Sequence, residues 1–155
     1  MEKIMLIAGI VVAAATVISA VAAAVSAIFS HKNLKIALSL FEKGKYEKLH
    51  DELNKIIEIS IEYPYLESKK FTSQWNKDSD DECYLRYDAY CNRLYNFLAR
   101  VCEFFEYDKQ KIESFVDIKS WIRMHKLNWQ NPIDENENID GYDQMFRNYI
   151  KSYLA

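Results

Sequence analysis

Cys91, Cys102 and His125 are the residues of this chain whose types and spacing come closest to chemistry. The two cysteines are eleven residues apart, which places them within about 20° of one another around a helix of 3.6 residues per turn, and His125 approaches from a following helix. A thiol beside an imidazole is the arrangement of a Cys/His nucleophile pair, and two thiols with an imidazole form part of a zinc set. The opposing reading is core packing. Both cysteines sit on or beside an apolar seam, where a free cysteine behaves as a small hydrophobe. Packing is preferred, and a small enzyme with a Cys/His centre is carried as the alternative.

Two further patterns are weaker. Glu47-x-x-His50 has the carboxylate and imidazole spacing of di-iron helical bundles, but a second pair is missing, since Ile28 and Ile122 stand three residues before His31 and His125. A solvated helix face accounts for it. Asn136-x-Asn138-x-Asp140-Gly141 matches the first half of a calcium-binding EF-hand loop, yet its twelfth position is Arg147 where a bidentate glutamate is needed. An asparagine-rich loop capping the last helix is the expectation there. The chain has no H-E-x-x-H, no G-x-S-x-G and only three glycines, too few for phosphate cradles. No catalytic residue, metal or cofactor is expected, and the chain reads as a non-enzyme.

The elements that must carry these residues fall into two parts. Residues 4–29 contain no charged side chain, whereas the 155-residue chain as a whole is 28% charged. At about 1.5 Å per residue such a helix exceeds the roughly 30 Å hydrocarbon core of a bilayer, so 4–29 is predicted to be a transmembrane helix. The competing reading, a signal peptide cleaved after Ala27 that releases a secreted helical protein, fits less well. The apolar stretch is far longer than an ordinary signal core, and Lys3 alone precedes it. Lys32, Lys35, Lys43, Lys45 and Lys48 form a basic juxtamembrane collar after it, which predicts a single-pass protein of the inner membrane with residues 31–155 as a cytosolic domain. Ala15, Ser19, Ala23 and Ala27 recur every four residues and form a strip where a second membrane helix can pack closely.

In the second part, apolar residues at helical spacing continue the first helix to Phe41, where Glu42-Lys43-Gly44-Lys45 is expected to end or bend it. A further helix runs from about Tyr46, with Leu49, Leu53, Ile56, Ile57 and Ile61 on its seam, and stops near Tyr63 before Pro64. Residues 65–77 read as a connection plugged by Leu66, Phe71 and Trp75. Ser79-Asp80-Asp81-Glu82 reads as a capping box with Ser79 at the N-cap. It starts a long helix with Tyr84, Tyr87, Cys91, Leu94, Leu98, Val101 and Phe105 along one seam, flanked by Tyr90, Phe97 and Phe104. One helix is then expected over Gln110–Leu127, a loop over Trp129–Asn138, and a closing helix bearing Tyr142, Met145, Phe146, Tyr149, Ile150, Tyr153 and Leu154. No segment alternates with period two, so the fold class is all-α, a membrane helix followed by a small helical bundle.

The net charge of −3 gives no footprint for a polyanion, and nucleic acid is excluded as a partner. Three cysteines without C-x-x-C spacing fit a reducing compartment. Eleven tyrosines serve either a wet core or a protein interface, with core packing the default.

With its N-terminal membrane helix, the Glu62–Leu66 run E-Y-P-Y-L, a W-x-x-x-H step at Trp121–His125 and a closing helix, the chain resembles a loose group of small bacterial single-pass membrane proteins. Some of them stand beside anti-phage systems. That resemblance implies a membrane-anchored interaction module, acting through a protein partner or self-association, of a defence or toxin-effector kind.

Overall fold

Two prolines and three glycines are all that the sequence sets against helix formation, so a helix once nucleated meets few stops. The computed structural model describes the backbone of residues 2–154 and the side chains of residues 26–154. Its elements are α1 (Glu2–Glu62), a 3₁₀ turn (Pro64–Glu67), α2 (Lys69–Thr72), α3 (Glu82–Phe104), α4 (Lys109–Phe115), α5 (Ile118–Met124), α6 (Lys126–Gln130), α7 (Glu137–Asp140) and α8 (Gln144–Leu154). Among the described residues there is no strand, and the fold is all-α. The chain divides into two units, residues 1–47 and 48–155.

In the first unit the helix continues through Gly44 and does not end there, where an end or a bend is expected. A glycine costs a helix only about 1 kcal/mol. Here Lys43 and Glu47 pair one turn apart at 3.8 Å, and Lys45 lies 4.6 Å from the centre of the Phe41 ring. A methyl group added at Gly44 would meet nothing within 4 Å, so neither strain nor crowding requires glycine there.

The second unit is built around α3. Tyr87, Cys91, Leu94, Leu98 and Val101 are buried along its seam together with Tyr90 and Phe97, as the three-and-four spacing predicts. The start of α3 differs from the expectation. Asp81, not Ser79, is the N-cap and accepts from the Cys83 amide at 2.7 Å, while the Ser79 hydroxyl accepts from the Asp81 amide. In a run of capping residues the one nearest the helix wins, because an N-cap oxygen must reach the amides of the first turn. At the other end Glu106 and Tyr107 both adopt the left-handed conformation, φ 52° and 60°, and the Tyr107 amide donates to the Cys102 carbonyl at 2.8 Å, closing the helix.

The expected helix over Gln110–Leu127 is three short ones. Val116 is extended (φ −149°, ψ 145°), and Asp117 caps α5 by accepting from the Ser120 amide. The apolar period survives these breaks, so Ile112, Ile118, Ile122 and His125 are all buried. Trp129, placed in the expected loop, lies in the last turn of α6 and is buried, and α7 begins before the end of the same stretch. On α1, Leu49 and Ile56 are buried while Ile57 and Ile61 are exposed. One residue past Ile56 rotates a side chain by 100° and off the buried stripe. α5 packs on α8, whose buried face is Phe146, Ile150 and Tyr153; Met145 is exposed.

Candidate functional site

The densest polar arrangement in the second unit surrounds His125, which is completely buried. Its Nε2 lies 3.1 Å from Glu67 Oε1 and its Nδ1 lies 3.0 Å from the Tyr87 hydroxyl. Tyr90 also donates its hydroxyl to Glu67 Oε1, and Tyr95 donates to the His125 carbonyl at 2.8 Å. Three segments supply these groups: the 3₁₀ turn after Pro64 gives Glu67, α3 gives the tyrosines, and the junction of α5 and α6 gives His125. The residue that follows the Glu62–Leu66 run thus meets the last residue of the Trp121–His125 step. Neither run is contiguous with the other in sequence, and the fold joins them.

Burial acts to raise the Glu67 carboxyl, but hydrogen bonding and attraction from His125, with the hydrogen bond from Tyr90, outweigh it and hold the pKa below the ordinary carboxylate value. An ionised carboxylate only accepts, so His125 Nε2 is the donor to it, and in a neutral ring Nδ1 then accepts from Tyr87. Burial pushes the hydroxyls of Tyr87, Tyr90 and Tyr95 and the thiol of Cys91 upward. Cys91 is fully buried, and a thiol held in its protonated form lacks the depressed pKa and access of a reactive cysteine. The hydrogen bonds of this array join three segments of the unit.

Cys102 does not join it. Eleven residues along a helix are about 16 Å of rise, so two cysteines that share an angular position cannot both reach one imidazole. Burial first, and then the charge of Asp143, push the Cys102 thiol up to about 12. His50 is exposed and meets the edge of the Phe115 ring at 4.9 Å, while Glu47 pairs with Lys43. Asn138 donates its amide to the Trp129 carbonyl at 2.6 Å from within α7; the last helix is capped by Asp143, which accepts from the Phe146 amide. The asparagine-rich stretch therefore does not cap α8 as expected, because Asp143 is the closer acceptor.

The tyrosines fill space. Tyr87, Tyr90, Tyr95 and Tyr153 are buried, and Tyr84, Tyr142 and Tyr149 are half-buried in ring contacts with Phe71, Phe146 and Tyr153. Of the small-residue strip, Ala15, Ser19 and Ala23 lie outside the residues whose side chains are described, and Ala27 is exposed. Lys32, Lys35, Lys43, Lys45 and Lys48 are all exposed. Among the described residues no helix is long and apolar enough to cross a membrane; the transmembrane prediction for 4–29 falls almost entirely on side chains outside that range.

Compared with known protein families, with characterised proteins and with solved structures, the chain matches none of them.

Proposed function

We propose that the chain is a membrane-tethered, non-enzymatic interaction module, anchored by residues 4–29 and acting through protein contact or self-association at the inner membrane with its helical domain in the cytosol. One observation carries this reading. Ile28, Phe29, Leu34, Ile36, Leu38, Leu40 and Phe41 are each at least 50% exposed on α1, at and directly after the end of a stretch of 26 residues without a charge. They are spread around the helix rather than along one stripe, so no single packed neighbour would cover them. Large apolar side chains that the chain's own core leaves uncovered mark an association surface or a nonaqueous environment. The lysines interspersed from Lys32 to Lys48 suit the headgroup side of such an environment, and their excess after the anchor directs the domain inward. The likeness to small bacterial membrane proteins beside anti-phage systems extends the reading to an effector that acts where it is anchored.

Topology reporters provide the test. A fluorescent protein fused after Ala155 is expected to fluoresce, alkaline phosphatase at the same place to be inactive, and the protein to resist carbonate extraction with the intact mass of the full chain. Active phosphatase would reverse the orientation. A mass beginning at Ile28 would replace the anchor with a cleaved leader.

A further inference from the structure

A hollow of about 310 Å³ lies between α2 on one side and α5 and α6 on the other. Its charged lining is entirely cationic: Lys69 from α2, Arg123 from α5 and Lys126 from α6, joined by the hydroxyls of Thr72, Ser73 and Ser120 over Met124 and Leu127. None of these three cations has a carboxylate within ion-pair distance among the described residues, so no acidic side chain neutralises the lining. The all-cationic lining stands out because residues 49–155 carry a net negative charge. Thr72 is 2% exposed, and its hydroxyl donates to the Lys69 carbonyl at 3.4 Å and to Met124 Sδ at 3.5 Å.

We propose that this hollow binds a phosphate group carried on a small apolar body. The cations supply charge, and the arginine adds a planar fork that fits two phosphate oxygens. The exposed Ser120 hydroxyl supplies a neutral donor, Ser73 supplies a second by turning away from the Lys70 carbonyl, and Met124 and Leu127 form an apolar floor for the remainder of the ligand. The volume stands at the small end of ligand sites, of the size of a phosphorylated metabolite or the headgroup region of one lipid. This site is independent of the anchor, and its failure would leave the tethering proposal standing.

The test uses the full chain in nonionic detergent and, separately, in phosphatidylcholine nanodiscs. Titration calorimetry with butyl phosphate measures the soluble source, and nanodiscs doped with phosphatidic acid measure the lipid source. Saturable binding in either arm is expected, reduced about tenfold or more by Arg123→Glu and by Lys126→Glu and unchanged by Lys55→Glu, which makes the same change of charge on the exposed face of α1. Binding in the detergent arm alone identifies a soluble phosphate ester, and binding in the nanodisc arm alone identifies a headgroup. Circular dichroism melts of the variants establish that each is folded. Absence of saturable binding in both arms, or equal loss in the Lys55 variant, would overturn the site.

Discussion

His125 Nε2 lies 3.1 Å from Glu67 Oε1, a hydrogen bond between residues 58 positions apart, with the imidazole fully buried and the carboxylate partly open to solvent. It fastens the 3₁₀ turn after Pro64 to the junction of α5 and α6 through α3, whose tyrosines reach both partners. A contact of this kind makes stability depend on pH in a defined sense.

Glu67 has a lowered pKa in the folded chain, so the unfolded chain takes up the proton first as pH falls. Its contribution is therefore complete above the ordinary carboxylate value of about 4.3 and is lost as pH falls through the lower folded value. Glu67→Gln is expected to destabilise the second unit by about 1.5–3 kcal/mol at pH 7, the usual worth of a hydrogen bond to a charged group. Thermal melts should show the gap between parent and variant closing toward pH 3. A gap of equal size at both pH values would mean that the charge of the carboxylate contributes nothing.

The α3 seam gives a sharper contrast. Leu98 is fully buried, so Leu98→Asp places a charge in the core and is expected to cost about 4 kcal/mol or more, enough to unfold the unit. Lys109 is exposed at the start of α4, 4.0 Å from Glu113 and 5.1 Å from the Tyr153 ring, and an acid there suits the positive end of the helix. Lys109→Asp should change stability by about 1 kcal/mol at most. Similar melting temperatures for the two variants would mean that the seam is misplaced.

At the end of α3, Glu106 holds φ at 52° without being glycine. The left-handed conformation costs a residue with a Cβ about 1–2 kcal/mol, of which a glycine regains part after its larger unfolded-state entropy is charged against it. Glu106→Gly is expected to stabilise the unit by about 0.5–1 kcal/mol, read as a rise in the melting temperature of a few degrees. Unchanged or lowered stability would show that the Glu106 side chain contributes more than its backbone strain costs.

The parts of this fold that sequence made legible are those set by local periodicity. Tyr87, Cys91, Leu94, Leu98 and Val101 repeat at three and four, and their burial follows from helix geometry. Pro64 ends α1 at Glu62, two residues before it, for an equally local reason. The breaks at Val116 and His125 were hidden because the apolar period continues across them, and Asp117 is a cap only once the extended Val116 precedes it. Glu67 lay in what read as a connection, and nothing near it signals a partner 58 residues away. The cationic hollow was hidden in the same way, since Lys69 and Arg123 belong to different elements and meet only through tertiary packing. For Cys91 and Cys102 the angular argument was sound, but the rise along the helix, about 16 Å, separates them.

The final prediction concerns the anchor as an active surface. Ala15, Ser19, Ala23 and Ala27 share one face of any helix that carries them, and small side chains let a second helix approach closely enough for backbone contact. Leucine at two of these positions fills that approach while preserving hydrophobicity, and hence insertion. Ser19→Leu with Ala23→Leu is expected to reduce in-membrane crosslinking of the full chain several-fold, with membrane abundance unchanged. Val17→Leu with Val21→Leu adds bulk at neighbouring positions off the strip and is expected to crosslink like the parent. If both pairs crosslink as the parent does, residues 4–29 only tether the chain, and self-association must come from the exposed apolar side chains between Ile28 and Phe41 or from the helical domain.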